Sequence, residues 1–355
     1  MKKYLLFFII PLVLLSCGDN TPSIKENLLT AKIHIEDSIV YSIPEVPRLC
    51  DAMSIEKKYV NIGDCKLYCE IEGEGMPLVL VHGGLGGTHH CFHPWLSGAA
   101  ENFKLIYYDQ RACGLSDFNP GKGYSFDQAV DDLENLRKEL KIEKWIVLGH
   151  SYGGAVAQYY TIKYPEHIAG LILLASVPML NKPELNNVDE YCFLTEQEKT
   201  RAQEIEKLLI AGKINYAQYF YNSDINGGWK RQNFLKPDQE RMAQMALYDI
   251  VFDPNIRSDY DSYTFDHYFD NCPIPTLICE GKYDSLWSAE KSAMMKANHP
   301  NAQFIQFGNS SHNIYRDEPE LFIKKISEWA KEIQPGLEDS ISGWKASLVN
   351  NQFKN

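Results

Sequence analysis

The stretch Trp145, Ile146, Val147, Leu148, Gly149, His150, Ser151, Tyr152, Gly153, Gly154, Ala155, Val156 (WIVLGHSYGGAV) decides how this chain reads. Residues 145–148 are an apolar run of strand length, and 153–164 have helical character. Between them lies a G-x-S-x-G segment, the sequence mark of a sharp strand-to-helix turn that lifts its central serine out of the backbone. A side chain two positions away on either side would collide at such a corner, so Gly149 and Gly153 suit their places and Ser151 is presented outward. The first N–H groups of the following helix are unpaired and favour negative charge beside the Ser151 hydroxyl.

Working outward, residues 57–61 and 66–70 read as strands around a turn at Gly63. Residues 77–81, 104–108, 171–175, 276–279 and 303–307 are short apolar strands of the buried kind. Phe126, Ala129, Val130, Leu133, Leu136 and Leu140 recur at helical spacing, which predicts an amphipathic helix over 125–140 capped by Ser125. A closing helix is expected over 318–333. Strands alternating with amphipathic helices indicate an α/β fold with a mostly parallel central sheet flanked by helices. Residues 175–276 break the alternation with helical stretches at 196–211, 216–221 and 238–251, and are expected to form a helical cap inserted between late strands. The domain reading is a signal peptide over 1–16, a tether over 17–55, a core in two parts (56–180 and 273–334), a cap over 181–272 and a tail over 335–355. One helical segment is expected near 24–38 in the tether.

A chain of 355 residues, 45% hydrophobic, buries a large core in one elaborated domain or two small ones. Its formal charge of -12 argues against nucleic acid and against anionic lipid headgroups as partners. Lys2 and Lys3, the apolar run 4–15, and Leu14, Leu15, Ser16, Cys17 resemble a bacterial lipoprotein signal. That resemblance implies cleavage after Ser16, lipidation of Cys17, and a lipid-anchored place in the bacterial cell envelope, at the outer membrane; a plainly cleaved secretory signal is the alternative, and either way the mature protein is exported. The apolar run is too short to span a bilayer. Cys50, Cys65, Cys69, Cys91, Cys113, Cys192, Cys272 and Cys279 would then meet an oxidising compartment, and their pairing is not legible from spacing; a free apolar thiol is the simpler reading for most.

A serine hydroxyl needs a base, an orienting acid and a site for the oxyanion. His312, in Gly308, Asn309, Ser310, Ser311, His312, follows the strand ending at Phe307, and Asp284, in Gly281, Lys282, Tyr283, Asp284, follows the strand ending at Cys279. Serine, acid and histidine in that chain order, on loops after late strands, make Ser151, Asp284 and His312 the catalytic candidates. Asp253, Asp259, Asp261 and Asp266 are rival acids that fall in the cap. The oxyanion donors are expected to be the N–H groups of Tyr152 and of Gly84, the latter in His82, Gly83, Gly84, Leu85, Gly86, Gly87 after the strand ending at Val81. His89, His90, Cys91, Phe92 and His93 cluster, but no carboxylate or cysteine pair completes a metal site at a typical spacing, so no metal and no cofactor are expected. Tyr219, Phe220, Trp229, Tyr248, Phe252 and Tyr260 could line an apolar pocket or pack the cap itself.

These residues resemble the α/β-hydrolase superfamily, and within it the proline iminopeptidase branch of serine aminopeptidases. His82, Gly83, Gly84 look like that branch's HGG motif, and Asp109, Gln110, Arg111, Ala112, Cys113, Gly114, Leu115, Ser116 resemble its DQRGxGxS segment; Ser151 sits in GHSYGG and Asp284 in GKYD. The resemblance runs from about residue 56 to 333, apart from the cap. It implies acyl-enzyme chemistry on short peptides or other small molecules, with cap carboxylates that hold the substrate's free amino group. Where an NEF-like acidic motif would stand, the chain has Pro254, Asn255, Ile256, Arg257, and Asp249, Asp253, Asp259 or Asp261 remain as substitutes. A carboxylesterase or lactonase uses the same machinery, a cofactor-free haloperoxidase or oxygenase is a variant of it, and a non-catalytic binding lipoprotein could use the same scaffold. Oligomeric state is left open.

Overall fold

Alternating side chains of the central strands divide between two apolar layers. In the computed structural model, Val79 and Val81, Trp145 and Val147, and Leu171 and Leu173 enter one layer. Leu78 and Leu80, Ile146 and Leu148, and Ile172 and Leu174 enter the other. A strand covered on both faces has no solvent side, which is why these segments are almost unbroken apolar runs. The structure describes residues 39–84, 86–118, 124–180, 192–252, 256, 258–286, 289–333 and 338–348.

Among them, eight strands form one sheet: β1 (Glu56–Asn61), β2 (Lys66–Glu72), β3 (Met76–Val81), β4 (Phe103–Tyr108), β5 (Trp145–His150), β6 (Ile168–Leu174), β7 (Thr276–Gly281) and β8 (Gln303–Phe307). Their order is β1-β2-β4-β3-β5-β6-β7-β8. The β1–β2 and β2–β4 pairs are antiparallel; the rest are parallel. Each strand expected from the sequence is present. The chain turns back on itself in strand order around β3, so the loops after β3 and β5 open beside each other, the position where α/β sheets bind ligands.

Helices Phe126–Glu139, Tyr152–Lys163 and Glu338–Leu348 cover one face, and Pro319–Lys331 the other. Ser125 caps the first, accepting from Gln128 N at 3.2 Å, as its place in the sequence predicts. Such a cap contributes about 1 kcal/mol. Between β6 and β7 lie helices Glu196–Ile210, Tyr216–Ile225 and Gln239–Tyr248. Thr195 with Glu198 and Asn215 with Gln218 close reciprocal capping boxes at the first two, and Asp238 caps the third.

Two expectations at the chain ends need correction. The described part of the segment read as a tether, 39–55, is bound to the cap rather than free. Val40 and the Asn222 amide exchange two hydrogen bonds of 3.0 Å, Gln218 Nε2 donates to Tyr41 O at 2.6 Å, and Tyr248 Oη donates to Val46 O at 2.7 Å. Its irregular, proline-containing sequence hid this because the segment satisfies its backbone with cap side chains and shows no period of its own. The tail is likewise no appendage over 338–348: Ile341, Trp344 and Leu348 bury themselves in the core, and Trp344 Nε1 donates to Tyr268 O at 3.1 Å. The expected leader, Cys17, and the helical segment near 24–38 lie outside the described residues. Among the described residues no helix is long and apolar enough to cross a membrane.

Candidate active site

Ser151 stands at φ 55°, ψ -120°, between the last residue of β5 and the helix Tyr152–Lys163. This strained backbone persists because its surroundings fix it. Ser151 N donates to Leu174 O at 3.0 Å, and Gly154 N donates to Ser151 O at 2.9 Å. A Cβ on Gly149 would come within 2.3 Å of Gly153 O, and one on Gly153 within 2.2 Å of Val81 O. Both glycines are therefore demanded by the corner, for the steric reason their spacing suggests.

Asp284 and His312 meet above the ends of β7 and β8. His312 Nδ1 lies 2.8 Å from Asp284 Oδ2, with both side chains buried, and Asp284 Oδ1 accepts from Leu286 N at 2.9 Å. A neutral imidazole that donates from Nδ1 to such a carboxylate keeps its lone pair on Nε2. Ser151, His312, Gly83 and Gly84 line one cavity of about 310 Å³ beneath the cap. Gly84 takes a positive φ of 63°, and a Cβ on Gly83 would sit 2.9 Å from the Ser151 Cβ. The register of β3 with β5, which pairs Val81 with Gly149, carries the Gly83–Gly84 loop onto the serine corner. The Tyr152 N–H belongs to the first turn of the helix that starts there.

The DQR segment holds this loop system together. Asp109 Oδ1 accepts from His89 N at 2.8 Å and pairs with His89 Nδ1 at 2.7 Å, while Oδ2 accepts from Leu115 N at 2.8 Å. Gln110 donates its backbone N–H to His82 Nε2 at 3.0 Å and its side-chain amide to His82 O at 2.9 Å. Burial holds the His82 imidazole down at about 4, so it stays neutral and can accept. Arg111 grips Asp132 through Nε at 2.8 Å and Nη2 at 2.7 Å.

The cap carboxylates separate clearly. Asp249, a sequence candidate for holding an amino group, is occupied by His90, by Arg241 at 3.3 Å and by Arg316 at 3.2 Å. Burial raises its pKa, but Arg241, His90 and Arg316 outweigh that and hold it well below the usual carboxylate range. Asp259 accepts from Phe126 N at 2.9 Å, Asp261 and Asp266 are exposed, and Asp253 lies outside the described residues. The sequence reading passed over Asp224. It lies on Tyr216–Ile225, lines the cavity, and its carboxylate has no hydrogen-bond or ion-pair partner among the described residues. Burial pushes it up to about 7, against the pull of Arg316. Nothing in its flanking sequence marks it out; only its aim into the cavity does.

Of the cap aromatics, Tyr219, Phe220, Trp229 and Phe252 line the cavity. Tyr248 instead packs on His90 and Arg48, and Tyr260 on Tyr152. Asp317, also unforeseen, ties the histidine loop to the cap, accepting from Ser311 N at 2.9 Å, Phe234 N at 2.8 Å and Leu235 N at 2.9 Å. The cysteines Cys50, Cys65, Cys69, Cys91, Cys113, Cys192, Cys272 and Cys279 are free thiols.

Residues 77–319 match the family model described as alpha/beta hydrolase fold. A proline iminopeptidase of Lactobacillus delbrueckii subsp. bulgaricus is 30% identical over 300 residues, 78% of this chain and 98% of that protein. One from Saccharolobus solfataricus is 28% identical over 79% of this chain and 94% of its own length. A solved thermophilic esterase from Thermogutta terrifontis shares the fold at a TM-score of 0.60 with 21% identity, over 79% of this chain and 99% of that one. The sheet order, the strained serine corner and these likenesses agree, and the chain belongs to the α/β-hydrolase fold family as a proline iminopeptidase-like hydrolase.

Proposed function

We propose that this protein is an exported serine aminopeptidase of the proline iminopeptidase kind, acting on short peptides through an acyl-enzyme. Ser151 Oγ attacks the carbonyl carbon of the first residue while His312 Nε2 takes its proton. Asp284 holds the imidazole and stabilises its cation, and the N–H groups of Gly84 and Tyr152 receive the oxyanion. The amine leaves with the proton from His312, and water, deprotonated by the same imidazole, releases the acyl group and restores Ser151. The Asp284–His312 contact of 2.8 Å and the positive φ of Ser151 support these roles.

The choice of a peptidase rests on Asp224. Asp224 has no hydrogen-bond or ion-pair partner among the described residues, and although Arg231 and Arg316 line the same cavity as Phe220 and Trp229, they only partly offset the cost of burying its charge; a substrate ammonium placed against it would supply a direct counter-charge. The aromatic lining of Phe220, Trp229 and Phe252 supports a second reading, a carboxylesterase or lactonase with the same triad. A panel of proline arylamides, with and without a blocked amino group, run against short acyl esters separates the two. Cleavage of free-amine arylamides alone supports the aminopeptidase; ester turnover with no arylamide cleavage removes it.

Anchoring by a lipid on Cys17 in the cell envelope is part of the same proposal, supported by the Lys2, Lys3 and apolar 4–15 leader. Metabolic fatty-acid labelling of the protein, absent in Cys17→Ala, is the expected result; labelling that survives that substitution, or none in the natural chain, defeats it.

A further inference from the structure

The histidine loop 89–93, whose Cys91 lines the same cavity as Ser151, meets on its other side two residues that the sequence keeps apart from it. Cys50, from the short helical turn Leu49–Ala52, Glu70, from β2, and His89 converge so that Sγ, a carboxylate oxygen and a ring nitrogen all lie within 4.8 Å of one another. All three side chains are buried, at 0%, 0% and 1% exposure. His89 Nε2 makes no full hydrogen bond and meets Glu70 Oε1 only in a long ion-pair contact of 3.4 Å. A buried ring nitrogen satisfied this weakly leaves room for a stronger ligand.

We propose that Cys50, Glu70 and His89 form a structural zinc site that clasps the N-terminal segment to the loop following the glycine turn. The donor set of one thiolate, one imidazole and one carboxylate is borderline-soft and suits Zn²⁺ better than the hard alkaline-earth cations. Each nitrogen or oxygen donor has the outer partner that metal ligands characteristically have. Asp109 binds His89 Nδ1 at 2.7 Å, which leaves Nε2 turned toward the other two donors. Glu70 is held by Tyr68 Oη at 2.7 Å and by His93 Nε2 at 2.9 Å, and His93 stacks on Tyr107 at 4.2 Å. Binding requires the Cys50 thiol and His89 Nε2 each to give up a proton, the three donors to close to zinc-ligand distances, and a water to complete the four-coordinate shell. Access is short, since Asp51 and Ala52, next to Cys50, are exposed. The expectation of no metal in the His89–His93 cluster considered only neighbours in sequence; the two remaining ligands arrive from 39 and 19 residues upstream, by the difference in their numbers.

The full chain, stripped with a chelator and titrated with Co²⁺ as a spectroscopic stand-in for Zn²⁺, tests the site. One equivalent should produce a thiolate-to-cobalt charge-transfer band that Zn²⁺ bleaches, and Zn²⁺ should raise the thermal midpoint. Cys50→Ser should lose the band entirely and the thermal shift with it. Should that variant fail to fold, Asp109→Asn keeps all three ligands and should bind Co²⁺ about 10- to 100-fold more weakly, the usual effect of removing an outer-shell carboxylate. No band in the natural chain, a band that persists in Cys50→Ser, or unchanged affinity in Asp109→Asn overturns the proposal.

Discussion

The serine corner and the cap are built on opposite principles. At the corner, the turn itself is closed locally and then clamped by neighbouring strands: Gly154 N reaches back three residues to Ser151 O and a Cβ on Gly149 would meet Gly153 O, while Leu174 O and Val81 O fix the corner from β6 and β3. In the cap, contacts are remote. Asn222 grips Val40 across 182 residues, and Asp317 reaches Phe234 across 83. In the proposed function the corner sets the kind of chemistry, and the cap sets which molecule reaches it. Strain at the corner is tolerated because backbone packed on all sides leaves it no alternative.

The sharpest break of this contrast is Ser151→Ala. It should lower kcat on the order of 10⁴- to 10⁶-fold and abolish labelling by a serine-directed fluorophosphonate. Residual turnover near the natural rate would remove Ser151 from the mechanism. Next, Gly153→Ala should cost about 1–3 kcal/mol or more by forcing a Cβ into Val81 O, a loss read from the denaturant midpoint. Stability equal to the natural chain would mean that the corner is looser than its contacts indicate.

Changes in the cap should act on binding instead. Asp224→Asn should raise KM for free-amine substrates roughly 10- to 100-fold, the scale of one charge-assisted hydrogen bond, while esters lacking an amine keep theirs. The pH dependence follows from the same group. With Asp224 at about 7, its carboxylate is neutral below that pH and charged above it, so KM for amine substrates should fall as pH rises through about 7. The variant should lose this limb, and an identical profile in both proteins would exclude Asp224 from recognition. Smallest of all, Asn222→Ala should cost about 1–3 kcal/mol at most, by loosening the 39–47 segment at Val40 while Gln218 and Tyr248 still hold it. Faster hydrogen exchange confined to that segment would show it, and exchange spread over the sheet would contradict the division between the two regions.

Much of the corner was legible because each of its parts leaves a mark in sequence. Apolar runs such as Leu78–Val81 and Ile146–Leu148 report strands covered on both faces, and GHSYGG reports a turn that tolerates no Cβ at its flanks. Asp284 and His312 were found by their places after β7 and β8, and the structure brings their side chains together. Asp224 and Asp317 were missed since an aspartate in a polar helix or loop looks the same whether it faces water, a cavity or a backbone N–H. Residues 39–47 were missed for the related reason that an irregular segment has no period to betray its partner.

The amino-acid sequence by itself determined the parallel sheet, the serine corner and the order of its catalytic candidates, because sterics and side-chain periodicity act between residues close in the chain. Only the tertiary structure decided that Asp224 faces the cavity, that Asp249 is consumed by Arg241, Arg316 and His90, and that Cys50 and Glu70 complete a cluster with His89. Charge pairing, desolvation and ligand convergence depend on distance in space, and no spacing along the chain encodes it.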